Sequence, residues 1–251
     1  DSVVAVKTPR REALLAQADQ RLRAGEGFAI ATINLDHLVK LSRPGDFRAA
    51  YAAQTWVVAD GNPIVWLSRL ARRPVELVTG SDLVIPLAGV AAEAGAPIAL
   101  LGADEITLER AGEALKRLHP QLKIAAAIAP PFGLDPKGEV IDGCLAQVEA
   151  SGAKLCFLAL GAPKQEIIAA RGLERTSGVG FVSVGAGIEF VAGTQTRAPR
   201  WVRALALEWV WRLAMQPRRL LGRYLSCIAI LPRLTADALR LRGETNAPEG
   251  S

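Results

Sequence analysis

Residues 155–166 read Leu155-Cys156-Phe157-Leu158-Ala159-Leu160-Gly161-Ala162-Pro163-Lys164-Gln165-Glu166. Six apolar residues in a row have the length of a strand buried on both faces. Gly161 then permits a turn, and Pro163 pre-sets the backbone of a first helical turn, so the segment reads as strand, tight turn, helix. The same unit recurs along the chain. Strand-like runs fall at 28–33, 56–59, 75–78, 98–101, 123–128, 155–160 and 181–184. Longer amphipathic runs lie between them at 10–24, 63–69, 82–94, 105–117, 140–151 and 164–171. This alternation predicts an α/β fold with a Rossmann-like, mostly parallel sheet flanked by helices. In such a sheet the strands end at one edge and ligands collect there, so the residues after each strand are the candidates for chemistry.

Half of the 251 residues are hydrophobic and 22% are charged, a globular composition long enough for one large domain with an appendage. The formal charge of +5 is unevenly spread. Residues 197–242 carry ten arginines against Glu208 and Asp237, whereas 1–196 are nearly neutral. We therefore divide the chain into a Rossmann-like domain, 1–196, and an arginine-rich helical appendage, 197–251. Helices are predicted at 201–215 and 218–230 around Gln216-Pro217, with Pro232 breaking the chain again and 243–251 a frayed tail. Concentrated positive charge calls for an anionic partner: phosphates, lipid headgroups or nucleic acid. Cys144, Cys156 and Cys227 lack metal-ligand spacing and read as small apolar filler in a strand and two helices. With no apolar run of about 18 residues and no signal-peptide pattern, the expected location is the cytoplasm.

Five strand ends attract notice. Thr32-Ile33-Asn34 interrupts an apolar strand with two polar side chains, although an ordinary strand-to-loop transition would look the same. Asp60-Gly61-Asn62-Pro63 follows the next strand; Asp60 could act there as a general base, or as a turn aspartate. Thr79-Gly80-Ser81-Asp82 could offer backbone N–H groups to an anion, or simply cap a helix. Leu101-Gly102-Ala103-Asp104 repeats the theme weakly. After Gly161-Ala162-Pro163, Lys164 and Gln165 present donors, and Glu166 could favour the helix dipole. Val184-Gly185-Ala186-Gly187 suggests a dinucleotide fingerprint, but the third glycine is missing and no helix with a later ribose-binding acid is expected.

Taken in order, Thr-x-Asn, Asp-Gly-Asn-Pro, Thr-Gly-Ser-Asp, Gly-Ala-Pro-Lys-Gln-Glu, Arg197-Ala198-Pro199, Leu207-Glu208-Trp209, Trp211-Arg212-Leu213, Pro217-Arg218-Arg219 and Arg223-Tyr224 resemble the WecG/TagA/CpsF family, glycosyltransferase family 26. The resemblance runs from about Ala29 to Leu225 and is most specific between Gly161 and Arg223. It implies an inverting, metal-independent transfer from a UDP-sugar to a sugar carried on polyprenyl pyrophosphate in surface-polysaccharide or exopolysaccharide assembly. UDP-glucuronate, UDP-glucose and UDP-N-acetylmannosamine are the donors considered. The implied base is Asp60, with Thr32 and Asn34 beside it. Substrate contacts are assigned to these two and to Gly61, Asn62, Gly80, Ser81, Asp82, Gly102, Phe132, Gly161, Pro163, Lys164, Gln165 and Glu189. Two positions depart from the family pattern: Pro130-Pro131-Phe132-Gly133 replaces a Gly-Tyr-Phe-like segment, and Glu189 stands where relatives often have aspartate.

No metal or other cofactor is expected, in keeping with the lack of Asp-x-Asp; His37 and His119 read as ordinary surface or edge residues. Fixed cations must then meet the charge of the departing UDP and of the acceptor pyrophosphate, and Arg197, Arg212, Arg218, Arg219 and Arg223 are the supply. Leu220, Leu221, Leu225, Ile228 and Ile230 interleave with them, the pattern of a basic amphipathic segment lying on the inner face of an anionic cell membrane. Alternatively, Trp201, Trp209 and Trp211 pack inward and the arginines are a solvated face. The expected partners are the UDP-sugar donor, the polyprenyl-pyrophosphate-linked acceptor and the membrane surface; no nucleic acid is expected, and a homo-oligomer is compatible with the sequence. The rival reading is a non-catalytic nucleotide-sugar or nucleic-acid-binding module built on the basic segment.

Overall fold

A computed structural model describes residues 6, 10–176, 178–196, 198–199, 202, 208–215 and 217–244. In chain order the elements are α1 (Arg11–Ala24), β1 (Phe28–Ile33), α2 (Leu35–Leu41), α3 (Asp46–Ala52), β2 (Trp56–Ala59), α4 (Asn62–Leu70), α5 (Gly80–Glu93), β3 (Ile98–Gly102), α6 (Glu105–Leu118), β4 (Ile124–Ile128), α7 (Glu139–Ala150), β5 (Leu155–Ala159), α8 (Lys164–Arg175), β6 (Gly180–Ser183), α9 (Gly187–Ala192), α10 (Glu208–Met215) and α11 (Pro217–Glu244). The six strands form one sheet in the order β2-β1-β6-β5-β3-β4, and every pairing is parallel. The fold is α/β and Rossmann-like, with a long C-terminal helix.

Side chains of successive strand residues point to opposite faces, and both faces of this sheet are apolar. Phe28, Ile30, Leu100 and Phe157 pack on one side with α1, α5 and α6. Ala29, Leu101, Leu158 and Phe181 pack on the other with α7 and α8. Near the β2 edge that second face is covered by α2, α3 and α4 through Leu41, Phe47, Tyr51, Ile64 and Val65. The three cysteines are buried and free, in α7, β5 and α11.

Several sequence expectations are corrected. Residues 75–78 form no strand: Leu77 makes one parallel bridge to Ala59, because the Val75 N–H is turned to the Ser68 hydroxyl at 3.2 Å and the Val78 N–H reaches the Ala59 carbonyl. Three short helices, α2, α3 and α9, were not expected, so a helix does follow Gly185-Ala186-Gly187. Pro232 does not break the chain: α11 runs 28 residues through it to Glu244, taking in Gly243. Leu220, Cys227 and Ala238 are buried at seven- and eleven-residue spacing on one side, and Pro232 is exposed. The proline's missing N–H therefore falls on the solvent side, and packing on both sides of it outweighs the lost bond. The remainder of the expected tail, 245–251, lies outside the described residues, as do Trp201, Arg197 and the side chains of Arg212 and Arg219. No helix among the described residues is long and apolar enough to cross a membrane.

Candidate active site

Because all strands are parallel, their carboxyl ends deliver Thr32, Asp60, Gly102, Gly161 and Gly185 to one edge of the sheet. At the β1/β2 side, Ile33 pairs with Ala59, and the Asp60 N–H donates to the Ile33 carbonyl at 2.8 Å. This register brings the Thr32 hydroxyl within 3.3 Å of the Asp60 carboxylate, to which it donates. Asn34 is the N-cap of α2, its side-chain oxygen accepting the His37 N–H at 3.1 Å. Gly61, with φ of 110°, caps α4, and a Cβ there would lie 3.9 Å from the Asn34 Cβ. Thr32, Asn34, Asp60 and Gly61 thus form one group, with Asn62 in the first turn of α4.

Beneath Thr32 lies a network the sequence did not announce. The Tyr51 hydroxyl donates to the Thr32 carbonyl at 2.5 Å, and His37 Nδ1 lies 2.8 Å from the same oxygen. His37 is buried, which corrects its reading as a surface or edge residue; burial lowers its pKa to about 4, so the imidazole is neutral. Tyr51 is held far above its ordinary range, first by burial and then by the nearby Glu166 and Asp60 carboxyls. The exit of β1 is therefore fixed by two buried polar rings. Neither could be found from spacing, because both belong to helices too short to show periodicity.

A second group lies where chain direction diverges. After β3 the chain turns to α6 on one face of the sheet, and after the neighbouring β5 it turns to α8 on the other. Such a divergence opens a crevice at the strand ends. A cleft of about 770 Å³ lies there, lined by Ala103–Ile106, Ala129–Leu134, Ala159, Leu160 and Lys164. Phe132 stands fully exposed at it. Asp104 caps α6 by accepting the Thr107 N–H at 2.8 Å, and this bond holds its carboxyl below the ordinary range. Gly102 cannot be replaced without disturbance: its φ is 111°, and a Cβ would sit 2.5 Å from the Ala159 carbonyl oxygen.

Between the two groups, Gln165 accepts the Gly185 N–H through its side-chain oxygen at 3.0 Å and donates its nitrogen to Glu166 at 2.9 Å. The peptide bond between Ala162 and Pro163 is cis. Glu166 is completely buried rather than displayed toward the helix dipole, and burial raises its carboxyl to about 7. Glu189, on α9, has a buried oxygen with no hydrogen-bond partner among the described residues; burial first and Asp104 to a lesser degree raise its carboxyl. Thr79 caps α5, bonding the Asp82 N–H at 3.2 Å and the Asp82 carboxylate at 2.7 Å. A Cβ on Gly80 would lie 3.1 Å from the Ser183 carbonyl oxygen at the end of β6, so glycine lets α5 start close to that strand, and Gly80, Ser81 and Asp82 occupy a first helical turn rather than a free loop.

The C-terminal helix joins this edge from outside. Arg223 on α11 pairs with Asp36 on α2 at 2.9 Å, and α11 packs along α2 and α4, the helices that follow Asn34 and Asp60. Asp36 also pairs with Lys40. Arg218 is exposed. Leu220 is buried, contrary to its expected place among the exposed apolar residues, whereas Leu221, Leu225 and Ile228 are more than half exposed. Trp209 is also exposed, edge-on to Tyr224 with ring centroids 5.9 Å apart, while Trp211 is half-buried. Among the described residues, no group of three His, Cys, Asp or Glu side chains is arranged to hold a metal ion.

The profile of the Glycosyl transferase WecG/TagA/CpsF family matches residues 3–244. The chain belongs to that family. As a WecG/TagA/CpsF glycosyltransferase, it presents at one sheet edge a carboxylate group near β1 and β2 and an open cleft beyond β3 and β5. An arginine-bearing helix abuts the first of these.

Proposed function

We propose that this glycosyltransferase moves a sugar, with inversion, from a UDP-sugar to a sugar carried on polyprenyl pyrophosphate during surface-polysaccharide assembly. The observation that carries the reading is the Asp60 carboxylate at the strand edge, bonded by Thr32 and framed by Asn34 and Gly61. In this reading the acceptor hydroxyl attacks the anomeric carbon from the side opposite UDP. Asp60 takes the hydroxyl proton as the new C–O bond forms, and the electron pair of the breaking bond leaves on the β-phosphate of UDP. Arg197, Arg212, Arg218, Arg219 and Arg223 supply positive charge for the phosphates; the pairing of Arg223 with Asp36 gives that side chain a second job, anchoring α11.

The cleft suits the uridine half of the donor, with Phe132 offering a ring for stacking but no phenolic hydroxyl, and with Glu189 beside it. Gly80, Ser81, Asp82, Gly102, Gly161, Pro163, Lys164 and Gln165 shape or line the ground between cleft and base. Residues 1–196 form the catalytic unit, and the segment from 197 onward docks the lipid-linked acceptor at the inner face of the membrane. The exposed Leu221, Leu225 and Ile228, at four- and three-residue steps along α11, support that docking.

The test is transfer from UDP-glucose, UDP-glucuronate and UDP-N-acetylmannosamine to glucosyl- and N-acetylglucosaminyl-pyrophosphoryl-polyprenol, run with the full chain and with a chain ending at residue 196. Product from the full chain alone supports both parts of the reading. Full activity in the shortened chain refutes the docking role, and no product from any pair refutes the substrates.

A further inference from the structure

Among the described residues Glu166 is the one carboxyl that is fully buried. One side-chain oxygen accepts from Gln165, and the other has no hydrogen-bond partner among the described residues. An orphaned buried oxygen is costly, and an apolar side chain of similar size would fill the same space without that cost. What Glu166 does accomplish is visible in its neighbour. A glutamine amide can point either way, but here only one orientation satisfies both ends: nitrogen to the Glu166 carboxyl at 2.9 Å, oxygen to the Gly185 N–H at 3.0 Å. The reverse orientation would set oxygen against oxygen and N–H against N–H.

The backbone that carries the carboxyl is braced: Gln54, two residues past the end of α3, donates one nitrogen to both the Glu166 main-chain carbonyl, at 3.2 Å, and the Ala50 carbonyl, at 2.9 Å. Gly185, the residue being gripped, has φ of 52° and lies two residues before α9, which carries Glu189. We infer that Glu166 is a positioning residue: its buried carboxyl fixes the Gln165 amide so that Gly185, and with it the turn leading to α9, is held against the turn between β5 and α8. The inference rests on the proposed nucleotide-sugar site only in what lies above those turns; the grip itself is independent of it.

Amide hydrogen exchange at Gly185 and calorimetric binding of UDP, measured on the full chain, test this in Glu166→Met, Glu166→Gln, Gln165→Met and the Glu166→Met/Gln165→Met pair. Glu166→Met is expected to melt no lower than the wild type, yet to exchange Gly185 about tenfold faster and to bind UDP about tenfold more weakly. Glu166→Gln keeps an acceptor oxygen in place and should restore both to within about threefold of wild type. The double variant should be no worse than either Met variant, because the two side chains act as a unit. Unchanged Gly185 exchange in Glu166→Met, or multiplying effects in the double variant, overturns the inference. If Glu166→Met does not fold, unchanged exchange in Gln165→Met overturns it equally. A wild type that binds no UDP refutes the nucleotide-sugar reading, while the exchange rates still decide the grip.

Discussion

The Thr32 hydroxyl donates to the Asp60 carboxylate across 3.3 Å, from the last turnless stretch of one strand to the first residue beyond its parallel neighbour. The bond orients the carboxylate without neutralising it, and the Thr32 backbone is itself held by Tyr51 and His37. Asp60→Asn should therefore lower turnover by about 10²-fold or more while leaving UDP affinity within about threefold. Thr32→Val, which keeps shape and loses the donor, should cost roughly tenfold in kcat. Steady-state kinetics with calorimetry of UDP separates the two parameters; an Asp60→Asn enzyme of ordinary activity would remove Asp60 as the base.

Burial moves the Glu166 carboxyl from its ordinary 4.5 to about 7, against the smaller lowering effects of the Gln165 hydrogen bond and the Lys40 charge and with a slight further push upward from Asp36. The folded chain thus retains a proton that the unfolded chain gives up above about 4.5. Stability is lost as pH rises between these two values and levels off above the higher one. At about 1.4 kcal/mol per pH unit the loss is on the order of 3 kcal/mol. Glu166→Gln abolishes it, so urea midpoints taken across that range should show the variant gaining on the wild type until about pH 7 and no further. A gap independent of pH would contradict the burial of this proton.

Gly102 closes β3 where it meets β5, and its φ of 111° already disfavours a side chain. An added Cβ would approach the Ala159 carbonyl oxygen to 2.5 Å, so backbone on one strand must move. Gly102→Ala should cost roughly 2–4 kcal/mol in thermal unfolding. An unaltered melting temperature would mean that the floor of the cleft yields far more readily than its packing implies.

The Arg223–Asp36 pair joins α11 to α2, with the carboxylate largely buried and the guanidinium partly in water. That exposure limits its worth. A double-mutant cycle of Arg223→Ala and Asp36→Ala should return a coupling energy of roughly 0.5–1 kcal/mol in urea unfolding, and it should shrink in high salt. Zero coupling at low salt would detach the helix from this anchor.

Leu221, Leu225 and Ile228 lie on one side of α11, each more than half exposed. Their joint replacement by serine removes the apolar stripe and touches nothing in the core. Sedimentation with vesicles containing anionic lipid should fall by at least about tenfold in the triple variant. Equal sedimentation of the triple variant would leave the membrane role of this helix without support.

Most of the sheet was readable from the chain, because β1 at Phe28–Ile33 and β2 at Trp56–Ala59 are apolar runs bounded by polar or turn residues. A parallel arrangement then sends Thr32 and Asp60 to one edge by geometry alone. Their contact was not readable: it depends on the register of Ile33 with Ala59, which no single-strand pattern encodes. Seven-residue helices such as α2 and α3 are shorter than the window in which a helical period shows. Glu166 misled for a different reason. An acid in a first helical turn has a ready surface explanation, whereas here α3 packs on α8 and Glu166 is left without exposure to water. At Pro232 a strong local preference lost to buried positions on either side.

Helix α11 is a single 28-residue rod resting on α2 and α4, whose first turns frame the Asp60 carboxylate. Its inner side is seated in the protein and its outer side is free to be loaded. In the proposed docking, whatever α11 meets on that outer side would be coupled through one helix to the two short helices on either side of the carboxylate, so attachment and alignment would be a single mechanical event.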